Sequence, residues 1–167
     1  MKPKPKSLIV CASGPHRNTR KIAETIATVL DAEVTTPDLI DPARIAEYDL
    51  VGFGSGIYMG KHHHQLLSFV ASLPNVNSHR AFVFATSGFA DSPLNRFSRS
   101  LTVPLNSKGF EISDGFSCRA KDTFFPFSPF GGIRKGHPDD ADLQRARLFA
   151  EQLKTTQKSW NSIGDMQ

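Results

Sequence analysis

At 167 residues, with 39% hydrophobic and 22% charged residues, the chain has the composition of one globular domain and is too short for two ordinary ones. No apolar run approaches the roughly 18 residues that a membrane span needs, and the basic start 1–6 is followed only by the short apolar run 8–12, so a cytoplasmic protein without a secretory signal is expected. The formal charge of +4 is spread along the chain without the dense basic stripe of a nucleic-acid binder, which is compatible with a phosphate-bearing ligand or an acidic partner.

Strand-like and helix-like segments alternate. Residues 7–12 (SLIVCA) form a short apolar run, as in a strand buried on both faces. Residues 18–30 place Ile22, Ala23, Ile26, Ala27 and Leu30 on one helical face. A short strand follows at 33–36, a turn or two of helix at 41–47, and a third strand at 49–55 (DLVGFGS). Residues 62–73 are predicted helical, with Leu66, Leu67, Val70 and Leu73 inward, ending before Pro74. Residues 80–86 (RAFVFAT) form a fourth strand. A helix over 93–108 is expected to kink or restart at Pro104 and to end at Gly109, before a fifth strand at 111–118. The last helix is predicted over 139–157, and 1–6 and 158–167 are expected to be tails flanking one domain, 7–157. Repeated βα units predict an α/β fold: a doubly wound, five-stranded parallel sheet in the order 2-1-3-4-5.

In such sheets ligands bind at the carboxyl ends of the strands, near the point where the order reverses. The first loop is Ser13-Gly14-Pro15-His16-Arg17-Asn18-Thr19. It opens a helix whose first N–H groups lack partners, and its hydroxyls, amide and cations make an anion cradle. Ordinary helix capping by Asn18 or Thr19 would use the same residues. The third-strand loop, 54–61 (GSGIYMGK), carries glycines that permit close approach of a flat ligand and one aromatic ring, Tyr58. The fourth-strand loop, 86–91 (TSGFAD), supplies backbone donors and acceptors and Phe89. A phosphoacceptor domain would need an acidic pair after the first strand, where Ser13 stands, and a dinucleotide fold would need GxGxxG, where only Gly14 stands.

These three loops, in this order and at these separations, resemble the flavodoxin-like family of FMN-binding proteins, of the short-chain type, over roughly residues 6–153. The resemblance implies that Ser13, His16, Arg17, Asn18 and Thr19 surround the FMN phosphate. It implies that Ser55, Gly56, Ile57 and Tyr58, with Gly60 and Lys61 beyond them, line one side of the ring, and that Thr86, Ser87, Gly88 and Phe89 line the other. It implies electron transfer through the flavin, with a redox partner protein or a small-molecule electron donor or acceptor, and potentials tuned by peptides around Gly56 and Ile57. An FMN-dependent oxidoreductase acting on a quinone- or porphyrinogen-like substrate is the alternative, and a flavin-free regulatory module a third. Two features depart from the family pattern. Arg17 stands where the family commonly has glycine before Asn-Thr, and the chain is basic where the carriers are typically acidic.

Three further features invite functional readings. His62-His63-His64 would be a metal site only if consecutive residues shared a face, which a helix forbids, so a helix start beside the cofactor with one histidine at its rim is expected. The Phe-rich stretch 122–133 is either a loop tucked onto the core or a hydrophobic lid or docking patch, with Lys121, Arg134, Lys135 and His137 around it. Cys11 and Cys118 lie in separate apolar segments without CxxC spacing and are expected to be small buried thiols.

Overall fold

The computed structural model describes residues 4–14, 17–58, 61–87, 95–119 and 138–163. Its elements are β1 (Ser7–Ala12), α1 (Asn18–Leu30), β2 (Glu33–Thr35), a 3-10 helix (Pro42–Glu47), β3 (Leu50–Tyr58), β4 (Lys61–His62), α2 (His64–Ser72), β5 (His79–Ser87), α3 (Asn95–Ser107), β6 (Phe110–Arg119) and α4 (Asp140–Ile163). The main sheet runs β2-β1-β3-β5-β6, and every pair along it is parallel. This is the order expected for the five βα strands. The addition is β4, which folds back antiparallel on the end of β3 through Ile57↔His62 and Tyr58↔Lys61.

Alternation in the central strands divides the interior into two layers. Leu8, Val10 and Ala12 of β1 face one way, with Val51 and Phe53 of β3, against Leu66, Phe69 and Val70 of α2 and Leu101 and Leu105 of α3. Ile9 and Cys11 face the other way, against Ile22, Ile26 and Leu30 of α1 and Ala146, Phe149 and Leu153 of α4. A parallel sheet covered on both faces needs such apolar runs, because both sides of each strand leave water.

The glycines of β3 have a packing role. Gly52 pairs with Phe82 and Gly54 with Phe84 across the β3–β5 ladder. A Cβ on Gly52 would lie 2.3 Å from Phe82 Cζ, and one on Gly54 would lie 2.2 Å from Phe84 Cζ. Both phenylalanine rings therefore lie over β3 positions that carry no side chain. Gly54 is not part of a ligand loop, as its sequence context suggested. It is the place where a core ring rests.

Several boundaries differ from the sequence expectation, each for a local reason. β3 continues to Tyr58, three residues beyond the predicted end, because β4 gives its last residues a pairing partner. α2 starts at His64, not His62, because His62 belongs to that hairpin and the His63 ring caps the helix by accepting the Gln65 N–H at 3.2 Å. α3 runs unbroken through Pro104 and does not restart there. Proline lies in its last turn, where the Pro104 carbonyl accepts the Lys108 N–H and the Ser107 hydroxyl. α4 extends to Ile163, six residues past the predicted stop, since neither glycine nor proline interrupts 140–163. At its start Asp139 and Asp142 cap each other: the Asp139 N–H donates to Asp142 Oδ2 at 3.1 Å, and the Asp142 N–H to Asp139 Oδ1 at 2.9 Å. The buried Asp142 carboxylate also pairs with Arg145. Among the described residues no helix is long and apolar enough to cross a membrane.

Candidate functional site

The carboxyl ends of β1, β3 and β5 lie side by side. Ala12 pairs with Ser55, Ser55 with Ala85, and Gly56 with Thr86, so the ends of the three strands are level in the sheet. The order reverses between β1 and β3, and the three loops singled out in the sequence start from this one edge.

The first loop leads from Ser13 into α1. A turn closes with the Arg17 N–H donating to the Gly14 carbonyl at 3.0 Å, and the Arg17 carbonyl accepts the first helical bond, from the Lys21 N–H, at 3.1 Å. Arg17 is the N-cap residue and adopts the left-handed conformation, φ 55 and ψ 23, with no side-chain cap on the helix. The position does require a positive φ, and arginine occupies it at a cost of roughly 1 kcal/mol relative to glycine. The guanidinium is exposed and has no acidic partner among the described residues, whereas the next cation along, Arg20, is paired with Glu24 at 2.8 Å. Ser13 Oγ is buried without a hydrogen-bond partner. No acidic residue lies in the first turn of α1. A buried hydroxyl, a helix start without a side-chain cap and a cation, none of them given a partner by the described residues, are together suited to an anion. Asn18 begins α1 and is half-buried. Thr19 points inward, its hydroxyl 2.7 Å from that of Thr86, with both groups buried.

The end of β3 is organised by Ser55. Its side chain is fully buried, and its hydroxyl lies 2.9 Å from the Gly56 carbonyl, 2.8 Å from His62 Nδ1 and 3.0 Å from the His63 backbone nitrogen. Ser55 thus turns its hydroxyl into the protein. Gly56, Ile57 and Tyr58 continue β3, and Lys61 opens β4 with an exposed side chain.

The three histidines do three different things. His62 is buried against Ser55, so it is not the one of the three that could stand at a rim. Its importance left only a faint sequence trace, a histidine two residues beyond Gly60. His63 caps α2, and its ring stacks on His64 with centroids 4.6 Å apart. Partial burial, followed by the neighbouring His64, pushes the His63 pKa below its ordinary value. Among the described residues no three His, Cys, Asp or Glu side chains gather at metal-binding distance.

Thr86 and Ser87 end β5 as strand residues, not as a turn. His16, Gly60, Gly88, Phe89 and the Phe-rich stretch 122–133 lie outside the described residues. Cys11 is a free, buried thiol, and Cys118 falls within β6.

A parallel sheet in this order, whose three central strands end level at the switch point where the loops singled out in the sequence begin, defines a flavodoxin-like α/β protein. The flavodoxin domain family matches residues 9–113, and the chain belongs to that family. An uncharacterized protein of Methanocaldococcus jannaschii is 43% identical over 148 residues, covering 89% of this chain and 97% of its own. Among solved structures, a short-chain flavodoxin associated with a non-canonical PDU bacterial microcompartment superposes with a TM-score of 0.68 at 15% identity, covering 91% of this chain and 98% of its own. The flavodoxin of Streptococcus pneumoniae superposes with a TM-score of 0.67 at 20% identity, covering 90% and 99%. At these identities the structural likeness speaks for the fold.

Proposed function

We propose that the protein binds FMN non-covalently at the β1–β3–β5 edge and serves as an electron-transfer flavoprotein. The observation that carries this reading is the first loop, which among the described residues holds a buried Ser13 hydroxyl without a hydrogen-bond partner, an α1 start without a side-chain cap and an exposed Arg17 without an acidic partner. Ser13, Arg17 and Asn18 would hold the phosphomonoester, with His16 beside them. Thr19 would brace the loop through Thr86. The backbone from Gly56 to Tyr58 would flank one side of the ring and the residues from Thr86 to Phe89 the other, and Gly60 and Lys61 would close the hairpin over its edge. Bound flavin supplies reversible electron uptake, while the protein supplies orientation and hydrogen bonds. A donor or acceptor, protein or small molecule, would exchange electrons at the exposed ring edge.

Titration of the purified protein into FMN tests the reading by quenching of flavin fluorescence. Saturable binding that weakens in Arg17→Ala is expected. A wild-type protein that leaves FMN fluorescence unchanged at tens of micromolar, about the weak end of cofactor affinities, ends it.

A further inference from the structure

Resting on the flavin reading above, we propose that Ser55 and His62 are positioning residues: a buried latch that fixes the Gly56–Ile57 peptide at the tip of β3, with His62 acting as an Nδ1–H donor. The tautomer follows from counting protons. A serine hydroxyl has one proton and two acceptor sites. Of its three neighbours, the His63 backbone N–H can only donate, the Gly56 carbonyl can only accept, and His62 Nδ1 can do either. One arrangement gives every contact its proton. The Ser55 hydroxyl donates to the Gly56 carbonyl, and it accepts from the His63 N–H and from His62 Nδ1–H. Were Nδ1 bare, the single serine proton would have to serve both the imidazole and the carbonyl, and one contact under 3 Å would be left with lone pair facing lone pair. Ser55 is 0% and His62 4% exposed, so water has no room to repair such a mismatch.

The latch has a mechanical consequence. Gly56 is the last β3 residue in register with β5, opposite Thr86, and as glycine it would leave the following peptide free to rotate. A planar trans peptide whose carbonyl is held on one side must turn its N–H to the other. The Ser55 hydroxyl holds that carbonyl. His62 and His63 hold the hydroxyl, from β4 and from the cap of α2, so three successive elements fix one peptide. A flavin ring nitrogen that accepts a hydrogen bond when oxidised and carries a proton when reduced distinguishes an N–H from a carbonyl beside it. Fixing the peptide therefore fixes the relative affinity of the pocket for the two redox states.

Two measurements decide the matter. In histidine-¹⁵N-labelled, FMN-free wild-type protein, His62 Nδ1 should show the shift of a protonated nitrogen; a bare Nδ1 overturns the latch. With FMN, Ser55→Ala and His62→Leu should each change the ratio of oxidised to reduced affinity by about fivefold or more, read as a shift in midpoint potential. His62→Asn, whose amide nitrogen sits on Cγ as Nδ1 does, should restore it to within about twofold of wild type. An unchanged ratio in both Ser55→Ala and His62→Leu, with FMN still bound, overturns the proposal. A wild-type protein that binds no FMN defeats the flavin reading instead, and the imidazole spectrum then decides the latch alone.

Discussion

The hydroxyls of Thr19 and Thr86 lie 2.7 Å apart, buried from solvent, and join the first turn of α1 to the end of β5 across 67 residues of sequence. Residues on either side of this contact belong to two loops of the candidate site, so the pair holds the loop after β1 in register with the end of β5. Removing one hydroxyl leaves the other buried without its partner, which costs about 1–3 kcal/mol, whereas replacing both by groups of the same shape is nearly neutral. Thr19→Val and Thr86→Val should each lower stability within that range, and the double variant should lose much less than their sum. Urea titration of the four proteins closes the double-mutant cycle. Additive losses would show that the two hydroxyls do not serve each other.

Arg17 gives a prediction with opposite signs in the two halves of one experiment. Its backbone sits at φ 55, and glycine would adopt that conformation without strain. Arg17→Gly should therefore leave the FMN-free protein at least as stable as wild type, gaining up to about 1 kcal/mol. The same change removes the Arg17 cation at the helix start and should weaken FMN binding about tenfold or more, the scale of a charge-assisted hydrogen bond. Thermal melting without FMN and fluorescence titration with it separate the two effects. Lower stability with unchanged affinity would mean that the arginine holds the loop and not the phosphate.

Gly54→Ala tests the packing of the β3 glycines. The added Cβ would fall 2.2 Å from Phe84 Cζ, and the ring cannot retreat easily, because it is buried in the layer under α1 and α4. A loss of about 2–3 kcal/mol is expected from overpacking, and Phe84→Leu in the same chain should recover part of it. Denaturant midpoints of the single and double variants measure both. Full stability in Gly54→Ala alone would mean that Phe84 does not rest on this strand.

The parts of the fold that were legible in the sequence are those written in hydrophobic periodicity. The run 7–12 and the face Ile22-Ala23-Ile26-Ala27-Leu30 announce β1 and α1, and the alternation of such units announces the parallel order. The parts that stayed hidden depend on contacts between distant residues. β4 is two residues long and exists because β3 is there to pair with it, so no local pattern signals it. His62 reads as the start of a helix until Ser55, seven residues earlier, is seen to claim its ring. The glycines of β3 suggest a ligand loop, because the sequence cannot show that Phe82 and Phe84 lie opposite them. Arg17 was legible as an anomaly. The structure adds that the anomalous residue carries the positive φ itself.

Cys11 supplies the pH-dependent prediction. Burial, outweighing the lowering influence of Arg20, pushes its thiol from 9.0 up to about 12. At pH 8 only about one molecule in ten thousand would carry the reactive thiolate in the folded state, so alkylation must await opening of the β1–α1 layer. Iodoacetamide at pH 8 should leave Cys11 unmodified in the native protein and modify it readily in urea, with peptide mapping to distinguish it from Cys118. The sign of the stability effect follows from the same shift. The unfolded chain gives up this proton near 9.0 and the folded chain only near 12, so between those values the unfolded state binds fewer protons and stability falls as pH rises. Below pH 9 the thiol is neutral in both states and contributes no slope. Cys11→Ala should lie below wild type near neutrality because of the small cavity it leaves, and should lose less stability than wild type between pH 9 and 11. Parallel melting curves for the two proteins across that window would refute a buried neutral thiol.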